Sequence, residues 1–507
     1  MTQDMTLSKR VGSFFLNNVV TIVFVIFAIV GYIFSGDFTP SSLLNEIAVR
    51  FFRNALLIIA LIIPVVAGLG LNFGIVVGAL SGMLAVIVVR YNMIAGHLAS
   101  PFGSLMLCFL IALPIAVLVG WMTGRLYNKT RGQEMVASLM VGYFAEGVYM
   151  IILLFVIGGV IPVTAGHPMI NPAGMGIRAS FDMGLPASEI NLARGAHQVP
   201  GMSRALTGLW RVEFLHALIA LAAVAVAFLI IRRIIARNRP EMAAQSSTRQ
   251  FYGRVILYGA ILVFGIWQAI SLSIYNNALE LSQTDPGVVV RELDPVSNEV
   301  NQLLPIPAVT LLVIIGFCLF NTYFLKTKLG QDCRSVGQSQ PISNAAGINV
   351  DRTRIIATII STVFAAWGMI VYLQDMGTVS AYTAQRQIGL FSVAALLVGG
   401  ATAAKASPKN AIIGLILFHS MFIVSPGIGR LLPITGNENA ENVAEYIRSF
   451  MMYTVIGVSL GLHVWKINKA ARDKNRLDNV IPPPDDDEDD LLTPKMPAEQ
   501  KPAELNE

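Results

Sequence analysis

Residues 325–354 read LKTKLGQDCRSVGQSQPISNAAGINVDRTR and separate two long apolar segments. A stretch carrying Lys326, Lys328, Arg334, Arg352 and Arg354 does not sit in a bilayer, where each charge near the centre costs ~2.5–3.5 kcal/mol. Within it, SQPISNAAGIN predicts one short helix over 339–346, because Pro341 suits a first helical turn and Gly347 a C-terminal stop. Lys and Arg beside apolar spans are retained on the cytoplasmic side, so the island is placed there. It is either a short helix offered to something below the membrane or an ordinary connecting loop.

Working outward, the rest of the chain is made for lipid. Of 507 residues, 54% are hydrophobic and only 13% charged, which indicates a polytopic membrane protein. The net charge of +5 does not point to nucleic acid, because the basic residues lie beside apolar segments as topology signals. Cys108, Cys318 and Cys333 are too few and too scattered for a disulfide framework and read as free thiols. The first apolar segment follows Lys9 and Arg10 but exceeds a signal peptide in length and lacks a small-residue cleavage site, so it reads as a retained span.

Spans need ~20 apolar residues. The first covers 11–34 and is followed by a polar stretch with Asn45, Glu46 and Arg50. The apolar segment 55–89 is too long for one crossing and is interrupted by GLGLNFG at 68–74, so two shorter spans meeting at a break are expected. Glycines weaken a helix by ~1 kcal/mol each, and a broken backbone survives in a membrane only under cover of protein or a water-filled cavity. Asn72 is therefore either a pathway residue or part of a crossing where glycines let helices approach.

Further spans fall at 103–122, 135–161, 212–235, 255–275, 306–324, 355–373, 390–404, 411–424 and 450–465. The basic loops GRLYNKTRGQE, RNRPEMAAQSSTRQFYGR, KASPK and KINKAARDKNR all fall inside when both termini are cytoplasmic. The fold class is accordingly all-α, with about 12 crossings counting the two short ones. Two long segments, 162–211 and 276–304, fall outside, and the Pro-rich acidic tail reads as a disordered terminus, with an acidic recruiting tail as the alternative.

No GxxxxGK[ST] phosphate loop, HExxH, Cys/His cluster or GxSxG occurs, which argues against ATP hydrolysis, a metal site or catalysis by this chain. Glu146 is an ionisable residue inside a span and shares a helical face with Gly142 and Ser138. It lines a polar path, or it is a protonated or paired carboxyl that holds helices together. Asn321, Gln268, Ser361 and His419 are polar positions in or near spans, read first as helix-to-helix hydrogen bonds.

GLGLNFGIVVGALSGM and the run LGQDCRSVGQSQPISNAAGINVDRTRIIATIISTVFAAWGMIVY with LFSVAALLVGGATAAKASPKNAIIGLIL resemble the permeases of bacterial ABC importers. That family includes the ribose, galactoside, nucleoside and branched-chain amino-acid permeases. Arg334, Val336, Gly337, Ala345, Ala346, Gly347, Ile348, Asn349, Gly399, Gly400 and Gly414 match its pattern. The sequence departs in its two long external segments and in the Ala-Thr-Ala-Ala-Lys that follows Gly399 and Gly400.

The resemblance implies that the island docks into a separate ATPase subunit, through Arg334, Gly337, Pro341, Ala345, Ala346, Gly347 and Asn349. It implies a second permease subunit, an extracytoplasmic substrate-binding protein, lipid around the spans, ATP held by the partner with no cofactor in this chain, and a bacterial inner-membrane location. The chain then divides into an N-terminal span and connector (1–54), a first permease half (55–161), an external loop (162–211), two spans (212–275), a second external loop (276–304), a second permease half (305–466) and the tail (467–507). Asn72, Glu146 and Asn321 offer polar groups to a translocation path. These suit a sugar or nucleoside better than an amino acid, which wants paired charges. An ion-coupled secondary transporter is the alternative, but intramembrane carboxylates are few and no internal repeat is evident. A membrane enzyme or assembly scaffold is the third.

Overall fold

The computed structural model describes residues 19–35, 40–94, 97–98, 100–156, 180–184, 202–237, 248–284, 306–380, 382–402, 405–430 and isolated positions between 446 and 465. The acidic tail, the second external loop beyond residue 284 and most of the first lie outside these residues, as does most of the last expected span. The chain divides into two compact units, Met1–Ile456 and Gly457–Glu507, and all that follows concerns the first.

The helices in chain order are α1 (Val19–Ser35), α2 (Pro40–Ala60), α3 (Ile62–Val66), α4 (Ile75–Ile94), α5 (Pro101–Lys129) and α6 (Glu134–Val156). They continue as α7 (Phe214–Arg237), α8 (Thr248–Thr284), α9 (Ala308–Phe324), α10 (Lys328–Gln338), α11 (Gln340–Ala345), α12 (Val350–Met376), α13 (Ala384–Val398) and α14 (Pro408–Arg430). Among the described residues, seven helices are long and apolar enough to cross a membrane, and eight if α9 and α10, bent by 73°, form one broken span. The chain is thus mostly helical.

The strands are a small addition to the all-α expectation. β1 (Ser180–Asp182) pairs antiparallel with β4 (Thr378–Ser380), and β2 (Arg211–Val212) with β3 (Ile306–Pro307). The first ribbon fastens residues 180–184 to the end of α12, where the Met183 amide donates to Gly377 O at 2.8 Å and the Arg204 amide to Gln374 O at 2.7 Å.

The helix α12 is the axis of the unit, packed against α2, α4 and α5. Its start is capped by Asn349, whose side chain accepts from the Arg352 amide at 3.0 Å. Small residues bring the neighbours close: a Cβ on Gly78 would lie 2.5 Å from Thr362 O, and one on Gly82 would lie 2.4 Å from Ala366 O. Backbone-to-backbone packing of this kind drives helix association where lipid removes the hydrophobic advantage. In contrast α7 and α8 pair chiefly with each other and expose apolar side chains such as Val224, Ile256 and Val263, as a surface bathed in lipid does.

Several element boundaries move from their sequence positions. Asn45, Glu46 and Arg50 belong to α2 rather than to a connector, and α8 runs on to Thr284, into the segment read as loop. The island holds two helices, α10 and α11, where one was expected. The missed one is announced by Thr327, whose hydroxyl caps it by accepting from the Gly330 amide at 3.3 Å.

Candidate functional site

The island folds into a compact platform. Pro341 stands in the first turn of α11, and Gly347 ends it with φ of +81°, a conformation that side chains disfavour. The α10 and α11 helices are clipped together by Ser335 Oγ and Ser343 Oγ at 2.8 Å. Cys333 and Val336 face inward, while Arg334, Pro341, Ile342, Ala345, Ala346 and Gly347 face out. Burial and the neighbouring Asp332 push the Cys333 thiol up to about 12.

Beside α11 runs a groove of about 840 Å³, lined among others by Gly68, Arg131, Gln338, Asn344, Ile348 and Asp351. Its floor joins the two stretches singled out in the sequence. A Cβ on Gly337 would fall 2.1 Å from Val66 O, and one on Gly68 would fall 2.8 Å from Gly337 Cα. The end of α10 therefore presses its backbone directly against the broken segment, and only glycine fits on either side. Of the expected docking residues, Arg334, Pro341, Ala345, Ala346 and Gly347 are on the surface, Gly337 forms this inner contact, and Asn349 spends its side chain capping α12.

The residue that ties the platform to the spans is Arg354, read from sequence as a topology signal alone. It is fully buried, and its Nη2 donates to Glu134 Oε1 at 2.6 Å and to Tyr127 O at 3.3 Å. Its Nη1 donates to Gln340 Oε1 at 3.4 Å. One guanidinium thus joins the start of α11, the end of α5, the start of α6 and α12. Outside it, Arg131 pairs with Asp351. A basic residue opening a span looks the same in sequence whether it faces water or a buried carboxylate, so only the position of Glu134 in space reveals the role.

The break itself is held by side-chain hydrogen bonds. Asn72 is buried, and its Oδ1 accepts from the Gly74 amide at 3.0 Å and from the Tyr127 hydroxyl at 2.8 Å. The Phe73 amide donates to Ser138 Oγ at 3.1 Å. These bonds replace the helical ones that Gly68 and Gly70, both at positive φ, interrupt. The shared face of Ser138, Gly142 and Glu146 packs on this segment, as the helical spacing predicts.

Glu146 sits one turn further along and is paired. Its Oε2 accepts from Arg386 Nε at 3.2 Å and Nη2 at 2.9 Å, and its Oε1 from Gln385 Nε2 at 3.1 Å. Glu146 lines a cavity of about 30 Å³ together with Phe73, the neighbour of Asn72, while Asn72 itself does not line it. Asn321 is elsewhere, on α9: its Nδ2 donates to Phe317 O one turn back in the same helix, not across to another. His419 stacks edge-on with Phe418 and Phe422, and its Nδ1, like Ser361 Oγ, finds no hydrogen-bond partner. Among the described residues no group of three or more His, Cys, Asp or Glu is placed to hold a metal ion.

The profile of the family described as "Branched-chain amino acid transport system / permease component" matches residues 187–456. The chain is similar to the nucleoside ABC transporter permease protein NupB of Lactococcus lactis subsp. cremoris (strain MG1363), with 29% identity over 119 residues. That alignment covers 23% of this chain and 31% of NupB, so it spans about a third of the relative's length. No solved structure matches. The family match takes in more than half of the chain, including α10 and α11, the axial helix α12 and the α13–α14 pair, and this chain belongs to the permease-component family of the branched-chain amino acid transport system type.

Proposed function

We propose that this chain is the membrane permease subunit of an ATP-binding-cassette importer, and that the groove beside α11 receives a separate ATPase subunit. The observation that carries this reading is the contact of Gly337 with Val66 and Gly68. A load applied to the platform passes directly into the interrupted span. The ATP, the hydrolytic residues and the magnesium chemistry belong to the partner.

In this reading the chain crosses the bacterial inner membrane about 12 times with both termini in the cytoplasm. It pairs with a second permease subunit, is surrounded by lipid, and takes a small polar solute from an external binding protein. Closure of the ATPases switches the path between outward- and inward-facing states by rigid-body motion. A sugar or nucleoside is favoured as solute, supported by the likeness to a nucleoside permease. The family description supports a branched-chain amino acid as the alternative.

Gentle purification from the host membrane tests the assignment. An ATP-hydrolysing subunit is expected to co-elute with the wild-type chain and to be lost with Ile342→Glu, because Ile342 is the large apolar side chain that α11 leaves 70% exposed. Equal recovery of the subunit with wild type and variant sinks the docking assignment. Solute uptake driven by an ion gradient in ATP-depleted vesicles favours a secondary transporter instead.

A further inference from the structure

The contact of Gly337 with Val66 and Gly68 joins two backbones by packing alone. Atoms in van der Waals contact resist being pressed together strongly, while the attraction that resists their separation is small for each pair. A platform joined to the interrupted segment only in this way can push it and cannot draw it back. A chain of directional hydrogen bonds does both, and the structure contains one that runs from α11 to the break.

Tyr127 lies in the last turn of α5, where helix carbonyls have no partner within the helix. Its carbonyl accepts from Arg354 Nη2 at 3.3 Å, and the same guanidinium reaches Gln340 Oε1 on α11 and Glu134 Oε1 at the start of α6. Arg354 therefore grips the ends of two helices, and each of them offers a hydroxyl to the break. The Tyr127 ring is buried among Ile63, Leu69, Cys333 and Ala357, and its hydroxyl donates to Asn72 Oδ1 at 2.8 Å. That hydroxyl stands against the next turn of chain, where a Cβ on Gly74 would fall 2.2 Å from it. One turn beyond Glu134 on α6, Ser138 Oγ accepts from the Phe73 amide at 3.1 Å. Two successive residues of the interrupted segment, Asn72 and Phe73, are thus held from α5 and from α6.

We infer that Tyr127 and Ser138 are positioning residues whose hydroxyls clamp the interrupted segment to the Arg354-held ends of α5 and α6, so that the segment follows the platform in both directions of its movement. The clamp is separable from the fold at Tyr127. Asn72 Oδ1 also accepts from the Gly74 amide at 3.0 Å, so it stays satisfied when the Tyr127 hydroxyl is removed, and no buried acceptor is orphaned. Removing Ser138 Oγ instead frees the Phe73 amide, which weakens the same segment from the other side. The inference rests on the permease reading above and adds the residues through which the stroke of the ATPase reaches the break.

The test is amide hydrogen exchange, read by mass spectrometry on the peptide 70–76, in the full chain purified with its ATPase subunit into lipid nanodiscs. ATP with orthovanadate is expected to change exchange of this peptide in the wild type. Tyr127→Phe is expected to raise its resting exchange about fivefold, the factor of one lost buried hydrogen bond, and to abolish the change that ATP causes, while ATP hydrolysis persists. Ser138→Ala is expected to do the same. Trp367→Phe is the control, because it removes another hydrogen bond between α12 and α5, from Trp367 Nε1 to Phe109 O at 3.2 Å, away from the clamp. It is expected to keep the ATP-dependent change. An ATP-dependent change that survives in both Tyr127→Phe and Ser138→Ala overturns the inference. So does its loss in Trp367→Phe as well, which marks a merely structural effect, and so does its absence from a wild-type complex that hydrolyses ATP. In each of these cases the ATPase subunit still co-elutes and the permease reading stands; if no such subunit co-elutes, that reading fails and the clamp falls with it.

Discussion

At the scale of single residues, close packing and one buried charge decide the most. Arg354 and Glu134 form the pair on which the platform hangs, with side-chain exposures of 0% and 12%. Removing one partner of such a pair leaves an uncompensated charge and costs ~3–5 kcal/mol. Arg354→Ala is expected to lower the thermal midpoint in detergent sharply, and a midpoint like wild type contradicts the role assigned to it. Gly337→Ala and Gly347→Ala separate packing from conformation. The first drives a methyl into Val66 O and costs ~1–3 kcal/mol by overpacking. The second meets nothing within 4 Å and carries only the ~1–2 kcal/mol of a positive φ, so the first variant is expected to melt lower than the second. Cys333 gives a chemical check. With its thiol raised to about 12 by burial, it stays protonated and unmodified by maleimide at pH 7.5 in the folded protein, and reacts once the protein is denatured. Labelling of Cys333 in the native state contradicts its inward position on α10.

At the scale of elements, sequence periodicity and cap chemistry were most informative where a helix begins or ends on a polar residue. Pro341 and Gly347 bracket α11 as expected, and the interruption at 68–74 separates α3 from α4. The helix α10 escaped notice because its residues are polar on most sides, with inward positions occupied by Gly330, Cys333 and Val336 rather than by large apolar groups. The depth of α13 was equally hidden: a 15-residue apolar run reads as a short crossing, and only its contact with Glu146 places its start inside the bundle. The α11 element carries its own prediction. Ser335 and Ser343 clip it to α10, so Ser343→Ala is expected to loosen the platform, reducing ATPase co-elution several-fold while leaving the spans folded, because a lost buried hydrogen bond costs ~0.5–1.5 kcal/mol. Recovery of the ATPase equal to wild type contradicts a need for the clip.

At the scale of the whole molecule, the first compact unit is an axial helix, α12, packed among close-fitting spans, with the α10–α11 platform at its start and the β1–β4 ribbon at its end. If both termini are cytoplasmic, a C-terminal green fluorescent protein fusion is expected to be fluorescent in cells; a dark fusion at normal abundance contradicts that orientation. The membrane character, the helical class, the interruption of the second apolar segment and the helix between Pro341 and Gly347 were all legible in the sequence. Each follows from local composition: apolar length, the conformational bias of Gly and Pro, and the exclusion of charge from hydrocarbon. What only the tertiary structure decided is which polar residues meet. Arg354 lies 220 positions from Glu134, Arg386 lies 240 from Glu146, and Gly337 touches Gly68 across most of the chain. No local pattern encodes such meetings, because a buried ion pair and an exposed charge have the same sequence signature and differ only in what the fold brings to them.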